Sequence, residues 1–359
     1  MAGSFDRSVL DRQVLNHGLL QSIRLVGEYR GKQNLFKQQS PQVLQRLRKN
    51  AIIHGTESSN RIEGVTASPE RIRELVAKRT QPANRPEQEI AGYREVLDTI
   101  HSHYADLNLT PNIVLQLHRD LYQFVPGGGG RWKATNNDII ETRQDGTSVV
   151  RFKPVPAHLT PDAMAWLHTN FKQMLDAGRV DPLLLIATYV QDFLCIHPFS
   201  DGNGRMARLL SLLLLYQAGY EVGRYISLEA IIEEARERYY DTIQASSQAW
   251  HVSQHTLIPW WQYFVGVVLV TAYRQFEDRV GVTTTKRGAK RDMIREAVKR
   301  FPHHFRYADL ERALPAVSRP TIARALRELR TEGVIRMMKA GRDATWEKTL
   351  ADANCSEPH

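Results

Sequence analysis

Apolar positions along the chain recur mostly at helical spacing, and the densest of them form two blocks. Residues 181–194 read DPLLLIATYVQDFL and residues 209–220 read LLSLLLLYQAGY, each suited to the inside of a helical domain. Between them lies CIHPFSDGNGRMAR (195–208), polar, cationic and punctuated by glycine. Buried polar groups are costly unless partnered. The pattern therefore predicts a loop between two buried helices whose His, Asp and Arg side chains meet partners there. No apolar run reaches the ~18 residues of a membrane-spanning helix, so no membrane partner is expected. The longest candidates, around Leu209–Tyr216 and Phe264–Val270, read as core.

The remaining pattern predicts a mainly α fold. Residues 1–100 read as helices broken near 40–42, 65–70 and 81–86. A second helical block runs from about 88 to 124 and stops at PGGGG (126–130), which no helix or strand interior tolerates well. In RWKATNNDIIETRQDGTSVVRFKP (131–154), Asp145-Gly146 separates Ile- and Val-containing runs, the signal of a β-hairpin. Thr160 as N-cap and Pro161 open a further helix, and helices continue to about residue 278. The small, polar, basic stretch RVGVTTTKRGAK (279–290) reads as a linker. Three helical patterns and a short β ending follow, with Ser318 as N-cap and Gly333 as stop of the third helix. They predict a winged helix-turn-helix. The expected organisation is a helical region at 1–95, a core at 96–278, a linker at 279–290, the winged helix-turn-helix at 291–348 and a tail at 349–359.

Composition narrows this little: of 359 residues 42% are hydrophobic and 24% charged, as in ordinary globular proteins. Two distant cysteines, Cys195 and Cys355, make no disulfide framework. MAGSFDRSVLDRQ at the start lacks a signal-peptide pattern, and a cytoplasmic setting is expected. Charge is more telling. Of the net +9, residues 286–348 hold 17 basic against 8 acidic side chains, whereas residues 1–285 carry only +2. A basic module on a nearly neutral body suggests nucleic-acid contact. Its third helix, SRPTIARALRELR, sets Arg319, Arg324, Arg327 and Arg330 around an Ile322/Leu326/Leu329 stripe, the profile of a recognition helix. Arg336, Lys339 and Arg342 are candidate backbone contacts from the wing. Protein docking or dimerisation suits the same module.

The 197–208 loop carries chemistry. Its GNG leaves backbone N–H groups open where a helix N-terminus offers unpaired donors and a positive dipole end, a ready anion cradle. Arg205 and Arg208, three apart, share a helical face and add cationic forks suited to phosphate. Asp201 beside that cradle would repel phosphate unless a cation such as Mg²⁺ lay between them. His197 is a candidate neutral base. Together they predict a phosphoryl- or nucleotidyl-transfer site for a polyphosphate. GNGRMA also fits the dinucleotide fingerprint G-x-G-x-x-A, but it follows an apolar helix rather than a strand, and that reading fails. Farther upstream, SSNRIEG (58–64) sets Ser59 and Glu63 four apart on one helix face. Glu63 stands just before the expected stop at Gly64, at the negative end of its helix, where a nearby cation would relieve it.

HPFSDGNGRMAR matches in full the motif HPFx[DE]GNGRxxR, and the chain resembles the Fic family over about residues 40–278. The resemblance implies a mostly helical enzyme that moves AMP from ATP to a protein hydroxyl and releases pyrophosphate. In it His197 would be the general base and Asp201 would hold Mg²⁺. Gly202, Asn203 and Gly204 would form the anion hole, with Arg205 and Arg208 on the β- and γ-phosphates. The intact GNGR argues against the related Doc kinases. The hairpin resembles the family's flap, with Asn137, Ile139 and Ile140 as target-docking residues, and the Tyr239–Tyr240 pair resembles one lining the nucleotide pocket. SSNRIEG resembles the inhibitory motif [ST]xxxE[GN] of the class with an N-terminal inhibitory helix. There Glu63 would pair with Arg208 and deny it to ATP, with Ser59 in the same motif. The expected partners are ATP and a target protein (this chain among the candidates), DNA through the winged helix, and a second copy in a homodimer. Two further readings stay open: a DNA-binding regulator with a nucleotide-sensing core, and a bifunctional enzyme that also removes AMP.

Overall fold

A short polar residue followed by proline sets many of the helix starts. In the computed structural model, which describes residues 3–39, 41–142, 147–285, 289–314, 317–339 and 344–349, the side chain of Ser68 accepts from the Arg71 amide. Asn84 likewise accepts from Glu87, Thr110 from Ile113 and Asp181 from Leu183. In each case proline occupies the first or second helical position, where its missing N–H costs nothing. Thr160 departs from this expectation. Its helix begins at Thr160 itself, and the hydroxyl donates to the Pro156 carbonyl (3.1 Å) instead of accepting from the first turn.

The described residues form two compact units, one from residues 1–33 and 42–276, the other from 34–41 and 277–359. Along the chain, α1 (Arg7–Asp11), α2 (His17–Gln39), α3 (Pro41–Ile62), α4 (Pro69–Val76), α5 (Arg85–His103) and α6 (Pro111–Leu121) precede an antiparallel ribbon. That ribbon pairs β1 (Ile139–Thr142) with β2 (Ser148–Phe152). The expected Asp145-Gly146 turn lies outside the described residues. Then come α7 (Thr160–Ala177), α8 (Pro182–Ile196), α9 (Asn203–Gln217), α10 (Leu228–Glu234), α11 (Arg236–Ser247), α12 (Ile258–Trp261) and α13 (Val270–Thr285). A π-helical stretch, Gln262–Leu269, joins the last two. Helix α13 runs into the stretch expected as a linker, so residues 279–285 are helical.

Helix α8 is buried on every side from Leu183 to Ile196 and packs between α7 and α9, with α5 against the other side of α9. It is the central helix its composition predicts. The pair α8–α9 is turned by two left-handed residues, His197 (φ 52°) at the end of α8 and Gly202 (φ 80°) at the start of α9. Gly64, also left-handed (φ 79°), ends the α3 turn as expected. Among the described residues no helix is long and apolar enough to cross a membrane.

The second unit runs α14 (Ala289–Arg300), β3 (His304–Arg306), α15 (Tyr307–Ala313), α16 (Arg319–Thr331), β4 (Ile335–Lys339) and β5 (Thr345–Lys348). Its antiparallel sheet has the order β3-β5-β4, and the core gathers Ile294, Phe305, Leu310, Ile322, Leu329 and Trp346. Gly333 (φ 75°) stops α16 as expected. The Ser318 hydroxyl meets Thr321 Oγ1 (2.8 Å) rather than a backbone amide. Strand β3 was not legible beforehand: of its three residues only Phe305 turns inward. Arg342, Cys355 and the rest of the 350–359 tail lie outside the described residues.

Candidate functional site

The loop between α8 and α9 is braced from three sides. Asn203 accepts from the Phe199 amide (2.9 Å) and donates back to the Phe199 carbonyl (2.7 Å). His118 of α6 stacks on the Phe199 ring at 3.6 Å, accepts from the Gly130 amide at Nδ1 and donates from Nε2 to the Asp201 carbonyl (3.1 Å). Lys133, buried, donates to the Ile196 carbonyl (3.1 Å) and to Asn137 Oδ1 (2.9 Å), and Asn137 donates on to the Phe199 carbonyl. Burial pushes the Lys133 ammonium down to about 8. The side chains of Asn203 and Asn137 are thus spent on holding the loop.

The loop faces a cavity of about 230 Å³ lined by His197, Gly204, Arg208, Tyr239, Tyr240 and Glu63, with Ile139, Arg151 and Gln244 on other walls. Both tyrosines reach it, although Tyr239 is also core, edge-on to Trp260. Ile139 reaches it from the ribbon, whereas Ile140 is 58% exposed on the outer side. His197 Nδ1 lies 3.3 Å from the Leu194 carbonyl. A carbonyl only accepts, so this contact assigns the proton to Nδ1 and leaves Nε2 with its lone pair. Burial pushes the imidazole down to about 4, so it is neutral at neutral pH.

The first amide of α9 paired with backbone is Met206, to the Gly202 carbonyl (2.9 Å). Among the described residues the amides of Asn203, Gly204 and Arg205 have no acceptor, as a helix start leaves them. Over this end lies the Glu63 carboxylate. A Cβ on Gly204 would collide with Glu63 Oε1. The same oxygen accepts from Arg208 Nη2 (2.8 Å), while Arg208 Nε donates to Ser59 Oγ (2.8 Å) and Nη2 to the Ser59 carbonyl (2.9 Å). Arg208 is buried, and its Nη1 lacks a partner among the described residues.

Arg205 is the other arginine expected on the phosphates. The residue is 1% exposed and is not among those lining this cavity. It donates to Glu89 Oε2 (2.6 Å) and Tyr122 Oη (2.7 Å), because a buried charge needs a carboxylate of its own. Glu89 was not anticipated, although a signal existed: it falls on the stripe of α5 with Tyr93, Val96 and Ile100, all buried. Asp201 is 60% exposed; Oδ1 accepts from the Gly202 amide (2.7 Å), and Oδ2 has Arg85 at 3.8 Å. It lines a second cavity, of about 430 Å³, with Arg85, Arg131 and Gly127–Gly129.

In the second unit, Arg324 and Arg327 are exposed on α16, with Arg330 one turn on from Arg327. Arg319 pairs with Glu311.

Comparison with known proteins places this geometry. Residues 108–215 match the model of the Fic/DOC family. Protein adenylyltransferase Fic of Culex quinquefasciatus is 27% identical over 216 residues, 57% of this chain and 39% of that protein. The protein of the same name from Aedes aegypti is 28% identical over 215 residues, with the same coverage. The chain thus spans 39% of the length of these curated relatives. The fold is shared with a Fic family protein from Desulfovibrio desulfuricans (TM-score 0.60, 22% identity, covering 94% of this chain and 97% of that one). It is shared also with a Fic domain containing signaling protein from Bacteroides thetaiotaomicron (TM-score 0.61, 20% identity, 72% and 97%).

Proposed function

We propose that this chain, which carries a Fic/DOC-family domain, transfers AMP from ATP to a hydroxyl of a protein and is held in check by Glu63. One observation carries the reading: the Glu63 carboxylate lies on the start of α9 and on Arg208, the place built for an anion. An ATP phosphate needs the same donors. Carboxylate and nucleotide therefore compete, and Ser59 keeps Arg208 turned toward the carboxylate meanwhile.

With Glu63 displaced, His197 Nε2 accepts the proton of the target Ser, Thr or Tyr hydroxyl. The freed oxygen attacks the α-phosphorus, the bond from that phosphorus to the β-phosphate oxygen breaks, and pyrophosphate leaves. The amides of Asn203 and Gly204 and the Arg208 guanidinium stabilise charge growing on the leaving group. Nearby anions raise the basicity of His197, as Glu63 already does. ATP phosphates act in the same direction. Asp201 fits Mg²⁺, since it is an exposed hard-oxygen ligand. When bound, the ion supplies charge neutralisation on the phosphates. Tyr239 and Tyr240 are read as the adenine side. The outer edge of β1, with Ile140 exposed, is read as the target's docking strand.

The second unit is read as a winged helix-turn-helix that contacts DNA through Arg324 and Arg327. Its element order and its exposed arginines support that reading. The domain limits expected above, the cytoplasmic setting and a homodimer belong to the same proposal.

The test is transfer of label from α-³²P-ATP. Glu63→Gly is expected to raise incorporation into protein, with an adduct of about 329 Da by mass spectrometry, and His197→Ala to abolish it. Unchanged incorporation in Glu63→Gly sinks the latch. Transfer of the γ-phosphate instead sinks the AMP assignment.

A further inference from the structure

Outside the cavities, the described residues hold one group of three metal-ligating side chains: His303, His304 and Glu347 of the second unit. We propose that His303 Nε2, His304 Nε2 and Glu347 Oε1 bind one divalent cation of the Zn²⁺ class, with water completing the shell. His304 lies directly across the β3–β5 ladder from Glu347, so the two share a face of the sheet. His303 stands just before β3, where its carbonyl accepts from the Lys348 amide (2.9 Å). From these places both imidazoles converge on one oxygen. His303 Nε2 and His304 Nε2 each lie 3.3 Å from Glu347 Oε1, and the three atoms lie within 4.8 Å of one another.

That spacing suits a shared ion. Ligands about 2.0–2.1 Å from a tetrahedral centre stand roughly 3.3–3.4 Å apart, which matches both His–Glu edges. No hydrogen bond joins either imidazole to the carboxylate among the described residues. Three donor atoms of ligating type thus face one another across the sheet, an arrangement that one cation can bridge. Two imidazoles and one carboxylate form a borderline ligand set, which favours Zn²⁺ over Mg²⁺ or Ca²⁺. The carboxylate is also steadied from behind. Arg336 pairs with Glu347 Oε2, leaving Oε1 for the histidines, the kind of outer support that ligating carboxylates receive. Strand β3 is a three-residue edge strand, and the ion would tie it to the central strand β5.

The full chain, stripped of metal with a chelator, is titrated with Zn²⁺ in a calorimeter and with Co²⁺ in a spectrometer. One equivalent of each is expected to bind, with the intense visible bands of tetrahedral Co²⁺. Saturating Zn²⁺ is expected to raise an unfolding midpoint by about 5 °C. His303→Ala and His304→Ala are each expected to weaken binding at least about tenfold and to remove the Co²⁺ bands. Both histidines are exposed, so the metal-free variants should melt as the parent does. No saturable binding, the weak spectrum of octahedral Co²⁺ in the parent, or full binding retained in the doubly substituted chain overturns the proposal.

Discussion

Arg205 and Arg208 stand one helical turn apart in the same motif, yet their surroundings differ. Both are buried, and each has a carboxylate. The Arg205 partner, Glu89, is 5% exposed and comes from the neighbouring helix, so that pair is part of the frame. The Arg208 partner, Glu63, has a side chain 31% exposed at the end of α3, so that pair borders solvent. Charge and spacing marked both arginines as candidates, but only the fold tells which one is enclosed. Glu89→Gln leaves the Arg205 charge buried without its counter-ion and is expected to cost about 3–5 kcal/mol in urea unfolding. A loss below about 1 kcal/mol would mean that Tyr122 and Asn60, whose Oδ1 accepts from Arg205 Nη1 (3.4 Å), suffice for Arg205, and that the pair is no frame.

The turn between α8 and α9 concentrates its backbone demands at two positions. His197 and Gly202 are both left-handed, and at Gly202 the space is closed as well, since a Cβ would stand 2.9 Å from the Tyr122 hydroxyl. Gly178, at the end of α7, shares the left-handed backbone (φ 63°) but has nothing within 4 Å of such a Cβ. The pair separates conformational cost from crowding. Gly178→Ala is expected to cost about 1–2 kcal/mol from its backbone alone. Gly202→Ala should cost more and lower the thermal midpoint further, because Tyr122 also holds Arg205. Equal losses at the two glycines would remove the crowding argument. Much of this element was readable in advance. Two apolar blocks announced buried helices, and glycine announced the turn, because those signals act within a few residues. The braces were not readable. Lys133, His118 and Tyr122 reach the loop from far along the chain, and no local pattern distinguishes them from ordinary surface or core residues. Strand β3 was missed for the related reason that three residues are too few to show a period.

At the scale of the molecule, the buried histidines set how the fold answers to acid. Burial pushes His101 down to about 3 and His118, His197 and His255 down to about 4, with His168 lowered as well. An unfolded histidine takes its proton near 6.5. Between that pH and about 4 the unfolded chain therefore binds protons that the folded chain refuses, and stability falls as pH falls. Above 6.5 these groups contribute no slope. Asp192 works in the other direction. Buried beneath Ser4 and Trp250, its carboxyl is pushed up to about 6, despite accepting from the Ser4 amide (2.8 Å) and Trp250 Nε1 (2.7 Å). The folded chain keeps that proton above the usual carboxylate range, so this contribution favours folding in acid and is lost as pH rises through 6. Asp192, together with Glu229 and Asp120, whose carboxyls burial also raises, offsets only part of the effect of the five histidines, each of which adds up to about 1.4 kcal/mol per pH unit. The helical unit is accordingly expected to unfold at a clearly lower temperature at pH 5 than at pH 7.5, and to change little between pH 7.5 and 8.5. His101→Asn or His118→Asn should flatten the acid limb by removing one titrating group from the difference. Calorimetric scans across that range check it, and a midpoint that held steady from pH 7.5 to 5 would mean that these imidazoles stay protonated inside the fold.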